Sequence, residues 1–197
     1  DTFTYEISDG NGGTDIATVT MTINGVNDGP TIDTNTLTIE EGQTVPITPA
    51  EISASDPDHG PDELTFTVNN PVGGQFLLNG NPATTFTQQD VNDGLVQFED
   101  DGTETPPSYT LTVTDPGNLS DQSPLELNYT PINDVPDAID DASTTDENTA
   151  INVDLVGNDS DAENDPLTIT KVEGNFASVG VPITLASGAT VMSLGNG

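Results

Sequence analysis

The sequence predicts an all-β chain of tandem β-sandwiches, one complete and two partial. Apolar residues alternate with Thr and other polar residues in stretch after stretch, and Gly, Pro, Asn and Asp punctuate those stretches. No segment keeps a helical period.

Taken in order, residues 2–7 place Phe3, Tyr5 and Ile7 on one face of a strand with Thr2, Thr4 and Glu6 on the other. Residues 17–23 alternate in the same way, as do 64–68, 109–113, 125–129 and 167–170. Each reads as a strand with one dry face and one wet face. Asn24-Gly25 and Asn79-Gly80 are turn signals, because both residue types tolerate a positive φ. The aromatic residues Phe3, Tyr5, Phe66, Phe76, Phe86, Phe98 and Tyr109 fall on strand patterns and are expected in the core.

Charge narrows the function. The 197 residues carry 34 Asp and Glu against a single basic side chain, Lys171, for a formal net charge of −33. Internal salt bridges can offset little of this, so external cations must. Such a surface repels nucleic acid and anionic lipid headgroups, which excludes polyanion binding. No apolar run approaches the ~20 residues of a membrane span, so membrane insertion is not expected. Cysteine is absent, which removes disulfides and thiolate metal sites. Low hydrophobicity with high net charge usually means disorder; the recurring period-two stretches argue instead for an ordered chain stabilised by metal.

Internal repetition turns scattered acids into equivalent positions. A strand ending in Asp leads to a second segment ending in Asn-Asp, with 18 positions from Asp9 to Asn27 and 18 from Asp115 to Asn133. A glutamate follows each Asn by 14 positions, Glu41 after Asn27 and Glu147 after Asn133. Asp-x-Asp then recurs as Asp56 and Asp58 and as Asp159 and Asp161, each with a further Asp six positions on and a Leu eight positions on. Boundaries therefore fall near Asp28 and Asp134. Residues 29–134 make one complete domain, 1–28 the closing strands of a preceding repeat and 135–197 the opening strands of a further one. The chain is expected to be an internal excerpt, with strand edges and half-cores exposed in its partial repeats.

Leu37-Thr38-Ile39-Glu40-Glu41-Gly42-Gln43, Ser55-Asp56-Pro57-Asp58, Gly74-Gln75-Phe76-Leu77-Leu78-Asn79-Gly80 and the run from Phe86 through Gly94 resemble the chondroitin sulfate proteoglycan-type repeat, a cadherin-like sandwich. The run 96–102 departs from that pattern in lacking a histidine before Asp-Gly. The flanks, through Asp1 to Gly13, Asp146-Glu147-Asn148-Thr149, Asn158 to Asp161 and Thr184 to Val191, resemble tandem cadherin-like repeats of bacterial giant surface proteins, including the VCBS type. The resemblance implies an extracellular, cell-surface or secreted protein that binds Ca2+ at its joints.

In cadherin-like folds the linker Asn-Asp stands between a glutamate of the preceding domain and the Asp-x-Asp and strand-end Asp of the next. Carried onto this chain, the first joint would use Asn27, Asp28, Asp56, Asp58 and Asp115. The second would use Glu41, Asn133, Asp134, Asp159 and Asp161. Calcium takes six to eight hard oxygen ligands, which such carboxylates, amides and carbonyls supply. Each set is expected to be incomplete, its remaining ligands lying outside residues 1–197.

Plainer readings account for the other acids. Asp90, Asp93, Asp100, Asp101 and Asp121 suit turn chemistry, accepting main-chain N–H bonds. Residues 10–15 resemble half a β-roll nonapeptide, but one copy makes a hairpin turn rather than a roll. The Asp159-Ser160-Asp161-Ala162-Glu163 run lacks the glycine and helices of an EF-hand. The single histidine, His59, stands in an acidic turn with a solvated or ligand-supporting role, and no catalytic constellation accompanies it, so no enzyme is expected. The leading function is a calcium-stiffened structural or adhesive spacer, or the shaft of a fibre. Its partners are neighbouring repeats or copies of itself end to end, joined by strand complementation or in one long polypeptide. The alternative is a module that binds a glycan or protein at a cell surface.

Overall fold

Strand pairing in the central domain is what brings the acidic loops to its two ends. The computed structural model describes residues 1–197 except 173, 177–179, 186 and 193–197. Strands β1 (Thr2–Ser8) and β2 (Thr14–Thr20) form an antiparallel hairpin in which Phe3 faces Val19 and Tyr5 faces Ala17. An extended linker without strand pairing leads to the central domain.

That domain runs through β3 (Thr31–Glu40), β4 (Thr44–Pro46), β5 (Ile52–Ser55), β6 (Thr65–Val72), β7 (Gly74–Leu78), β8 (Asn81–Pro82) and β9 (Thr85–Thr87). A single helical turn, α1 (Gln88–Asn92), interrupts the strands before β10 (Val96–Asp100), β11 (Ser108–Thr114), β12 (Ser120–Pro124) and β13 (Glu126–Thr130). Three sheets result, ordered β4-β10-β7-β8, β12-β11-β6-β9 and β13-β3-β5. They enclose one core of Leu37, Ile39, Ile52, Phe66, Phe76, Phe86, Phe98, Tyr109, Leu111 and Val113 with their neighbours. Phe76 is its centre, with ring centroids 5.2 Å from Phe86, 5.1 Å from Phe98 and 4.9 Å from Tyr109. Edge-on packing of this kind adds to the gain from burial.

Turn chemistry falls where the sequence places it at Asn79-Gly80, both at positive φ between β7 and β8. At Gly74 only glycine fits, since a Cβ there would lie 2.7 Å from the Phe98 ring. Helix α1, which periodicity does not reveal in five residues, rests on a reciprocal cap. Asp90 N donates to Thr87 Oγ1, Thr87 N donates to Asp90 Oδ2, and Val91 is buried beneath.

Strand β13 pairs with β3 in parallel, Leu127 beside Leu37 and Thr130 beside Glu40. The first and last strands thus point the same way. The chain enters at Thr31 and leaves at the opposite end of β3, a separation of about 30 Å for ten residues at ~3.3 Å each. Antiparallel β5 returns to the entry end, with Ser55 against Thr31, so Asp56 lies at the entry. Glu41, directly after β3, lies at the exit, where its N–H donates to Thr130 O at 3.0 Å.

After residue 130 the chain is sparsely paired, with β14 (Lys171–Val172), β15 (Asn175–Phe176), β16 (Pro182–Thr184) and β17 (Thr190–Met192) forming two small hairpins. Residues 167–170, expected as a strand, have no ladder partner among the described residues, and Asn24-Gly25 makes no hairpin. Phe3 and Tyr5, expected in a core, are 54% and 47% exposed. They occupy one face of the β1–β2 hairpin, and no second layer packs on it among the described residues. The hairpin nonetheless repeats the central domain's own geometry. Asp9 N donates to Gly13 O at 3.1 Å and Gly13 N to Asp9 Oδ1 at 2.9 Å, just as Asp115 N donates to Leu119 O at 3.1 Å and Leu119 N to Asp115 Oδ1 at 2.8 Å. The two hydrogen bonds to Asp9 from Asn11 and Gly13 hold its carboxyl below the usual range.

Candidate metal centres at the two joints

At the entry end, the residues expected at the first joint come together. Asn27 Nδ2 donates to Asp115 Oδ2 at 2.7 Å, and Asp28 N donates to Asp58 Oδ2 at 2.8 Å. Both contacts tie the linker to loops that follow β5 and β11. Asp56 Oδ1 accepts from Asp58 N at 2.8 Å and His59 N at 2.9 Å, and lies 3.1 Å from His59 Nδ1. The other oxygen, Oδ2, is buried with no hydrogen-bond partner, and the Asp56 side chain is 0% exposed. Ligand atoms of Asp56, His59 and Asp115 lie within 4.8 Å of one another. Burial acts to raise the Asp115 pKa, but the Asn27 amide, the Leu119 N–H and the nearby His59 outweigh it and lower the value. Gly117 lets the linker approach, since a Cβ there would lie 2.5 Å from the Asn27 amide nitrogen.

At the exit end the grouping differs from the expected one. Glu41 and Asp134 meet as foreseen, with carboxylate oxygens of Glu41, Glu104 and Asp134 all within 4.8 Å. Ile132 N donates to Glu41 Oε2 at 2.9 Å, and Asp134 N donates to Glu163 Oε1 at 2.6 Å. Glu104 Oε1 and Glu163 Oε2 are buried and unpartnered. Burial, then the charges of Glu41 and Glu163, push the Glu104 carboxyl above its ordinary range. The other expected residues bond elsewhere: Asn133 Nδ2 donates to Asp134 O and Asp161 Oδ1 accepts Asp165 N at 2.9 Å, both locally, while Asp159 Oδ1 accepts Ile139 N at 2.8 Å from 20 positions back.

Sequence reasoning missed Glu104 and Glu163. Glu104 lies in the β10–β11 loop, and only the pairing of Glu99 with Thr44 brings that loop beside Glu41. Glu163 had a weak signal as the third alternate acid of the 159–163 run. Of the acids expected in turns, Asp100 Oδ1 accepts Gly102 N and Asp101 Oδ1 accepts Thr103 N locally, and Asp100 Oδ1 also accepts the distant Gly42 N. Asp121 instead lies in β12, where its Oδ2 accepts Ile32 N from far along the chain.

Among known proteins, a family model described as cadherin-like matches residues 30–129, and one described as a bacterial Ig domain matches residues 133–196. The chain is 34% identical over 119 residues to FRAS1-related extracellular matrix protein 2 of Homo sapiens, covering 58% of the chain and 4% of that protein. Extracellular matrix protein 3 of Lytechinus variegatus matches at the same identity and coverage. Chondroitin sulfate proteoglycan 4 of Homo sapiens is 40% identical over 89 residues, covering 43% of the chain and 4% of that protein. The chain thus spans 4% of the length of these curated relatives. No solved structure matches.

Proposed function

The chain belongs to the cadherin-like family, and from that premise we propose that it is a calcium-stiffened spacer of an extracellular repeat protein, structural or adhesive in role. The observation that supports this most is the pair of acidic clusters at opposite ends of β3, the entry one hydrogen-bonded by Asn27 of the linker and the exit one including Asp134 of the linker, with Asp56 Oδ2 at one end and Glu104 Oε1 at the other buried where no donor reaches them. An unpartnered buried anionic oxygen is costly, and like charges at 4–5 Å repel by about 1 kcal/mol in water and about 4 kcal/mol at an effective dielectric of 20. A hard divalent cation relieves both.

The residues fit such an ion, since the groups gathered there are chiefly carboxylates, with the Asn27 amide beside Asp115. Asn27, Asp28, Asp56, Asp58 and Asp115 would hold it at the first joint. Glu41 and Asp134 with Glu104 and Glu163 would hold it at the second, where Asn133, Asp159 and Asp161 stand in the same linker and loop. Main-chain N–H bonds to carboxylates already tie the first linker at Asp28 and the second at Ile132 and Asp134. A cation would brace those carboxylates and so fix the angle between neighbours. Binding only to the ordered form adds about 2.7 kcal/mol at a hundredfold excess over Kd.

Melting and small-angle scattering with calcium and with chelator test the reading. Calcium should raise the melting temperature and lengthen the maximum dimension; no change in either would sink it.

End-to-end association draws on a different observation. The hairpin face of Phe3, Tyr5 and Ile7 is half open to solvent, and Ile139, Ile151, Val153 and Leu155 of the last segment are exposed as well. Strands from a neighbouring repeat or a second copy would cover these faces. A glycan-binding role has less support, because Phe66, Phe76, Phe86, Phe98 and Tyr109 are buried and leave the central domain without an aromatic platform.

A further inference from the structure

We propose that the first joint is a mixed nitrogen and oxygen centre, in which Asp56, His59 and Asp115 bind a divalent transition ion of the Zn2+ class in preference to Ca2+. This rests on reading the joint as a metal site and adds which class of ion it selects. The two joints differ in one respect: the exit cluster offers oxygen alone, whereas the entry cluster includes an imidazole whose side chain is only 16% exposed.

Asp56 divides its two oxygens. Oδ1 fixes the loop through the Asp58 and His59 N–H groups and faces His59 Nδ1, while the buried Oδ2 has nothing to accept from. Asp115 divides in a similar way, with Oδ1 anchored by Leu119 N and Oδ2 accepting from the Asn27 amide. Half a turn of that amide exchanges nitrogen for oxygen and adds a fourth donor. A neutral imidazole contributes a nitrogen lone pair, which zinc, copper and nickel accept readily and calcium does not. Two carboxylates and an imidazole with an amide close by fit the four-coordinate preference of zinc.

His59 is the chain's single histidine, so an imidazole signal on a bound metal has one source. The test uses the full chain in excess Ca2+, with half an equivalent of Cu2+ as the probe and electron paramagnetic resonance as the readout. Nitrogen coupling from one imidazole is expected in the wild type and absent in His59→Gln. Competition for Zn2+ should weaken by at least about tenfold in that variant, because even supporting residues around a metal cost this much.

An all-oxygen copper signal in the wild type overturns the proposal. So does a Zn2+ affinity unchanged in His59→Gln, or stoichiometric displacement of Cu2+ by Ca2+. The wild-type spectrum decides alone if the variant fails to fold. Failure of the calcium reading shows separately, as a melting temperature that ignores calcium while the nitrogen coupling remains.

Discussion

Glu104 and Asp115 occupy opposite ends of the central sandwich and respond to pH in opposite directions. Burial and the charges of Glu41 and Glu163 raise Glu104 above its ordinary 4.5, so the folded chain keeps a proton that the unfolded chain has lost. Stability therefore falls as pH rises through that window and is regained below it. For Asp115, burial is outweighed by the Asn27 and Leu119 hydrogen bonds, which lower it below 3.8. Its contribution is present above that value and is lost as pH falls through the lowered one. In chelator, urea melts should show stability rising as pH drops toward the carboxylate range and declining below 3.8; Glu104→Gln should flatten the rise alone. Asp134→Ala separates repulsion from ligation. Without metal it should relieve repulsion by no more than about 1 kcal/mol; with calcium it should leave the 131–137 linker open to protease and the entry linker protected. Equal cleavage at both linkers would count against the assignment. The acids that meet at the entry end, the first joint, were legible from the repeat register together with the cadherin-like resemblance. Those of the second were legible in part, because Glu104 reaches the site through strand pairing and not through any motif.

Among the elements, the strands with alternating faces were readable because one side of each meets a shared core. The two misread pieces follow from the same rule. Residues 167–170 carry the alternation without a partner strand among the described residues, and a ladder needs two. The hairpin β1–β2 forms from local register and the Asp9 turn, yet its apolar face stays open. Helix α1 is held by Thr87 and Asp90 at one end and buried Val91 below. Thr87→Ala should cost about 1 kcal/mol in a denaturant melt. A shift near zero would mean that packing of Val91 alone holds the turn.

For the whole molecule, acidity and topology act together. A net charge of −33 opposes compactness and drives cations toward the chain. Parallel pairing of β13 with β3 sends the chain out of the central domain at the end opposite its entry. On the proposed reading, the chain would stiffen or slacken at its linkers, beside which the acidic clusters lie. Calcium should therefore change overall length more than secondary structure, so scattering in chelator should shorten while the far-ultraviolet circular dichroism stays nearly constant.

Alternation, turn residues and equal spacings are local properties, so the sequence by itself determined the all-β class, the repeat register and most acids of the joints. The tertiary structure decided which oxygens were left unpaired, which loops met, and that Asp115 stands beside Asp56 and His59. Those facts depend on strand order and parallel pairing, contacts between residues 58 to 91 positions apart that no local pattern encodes.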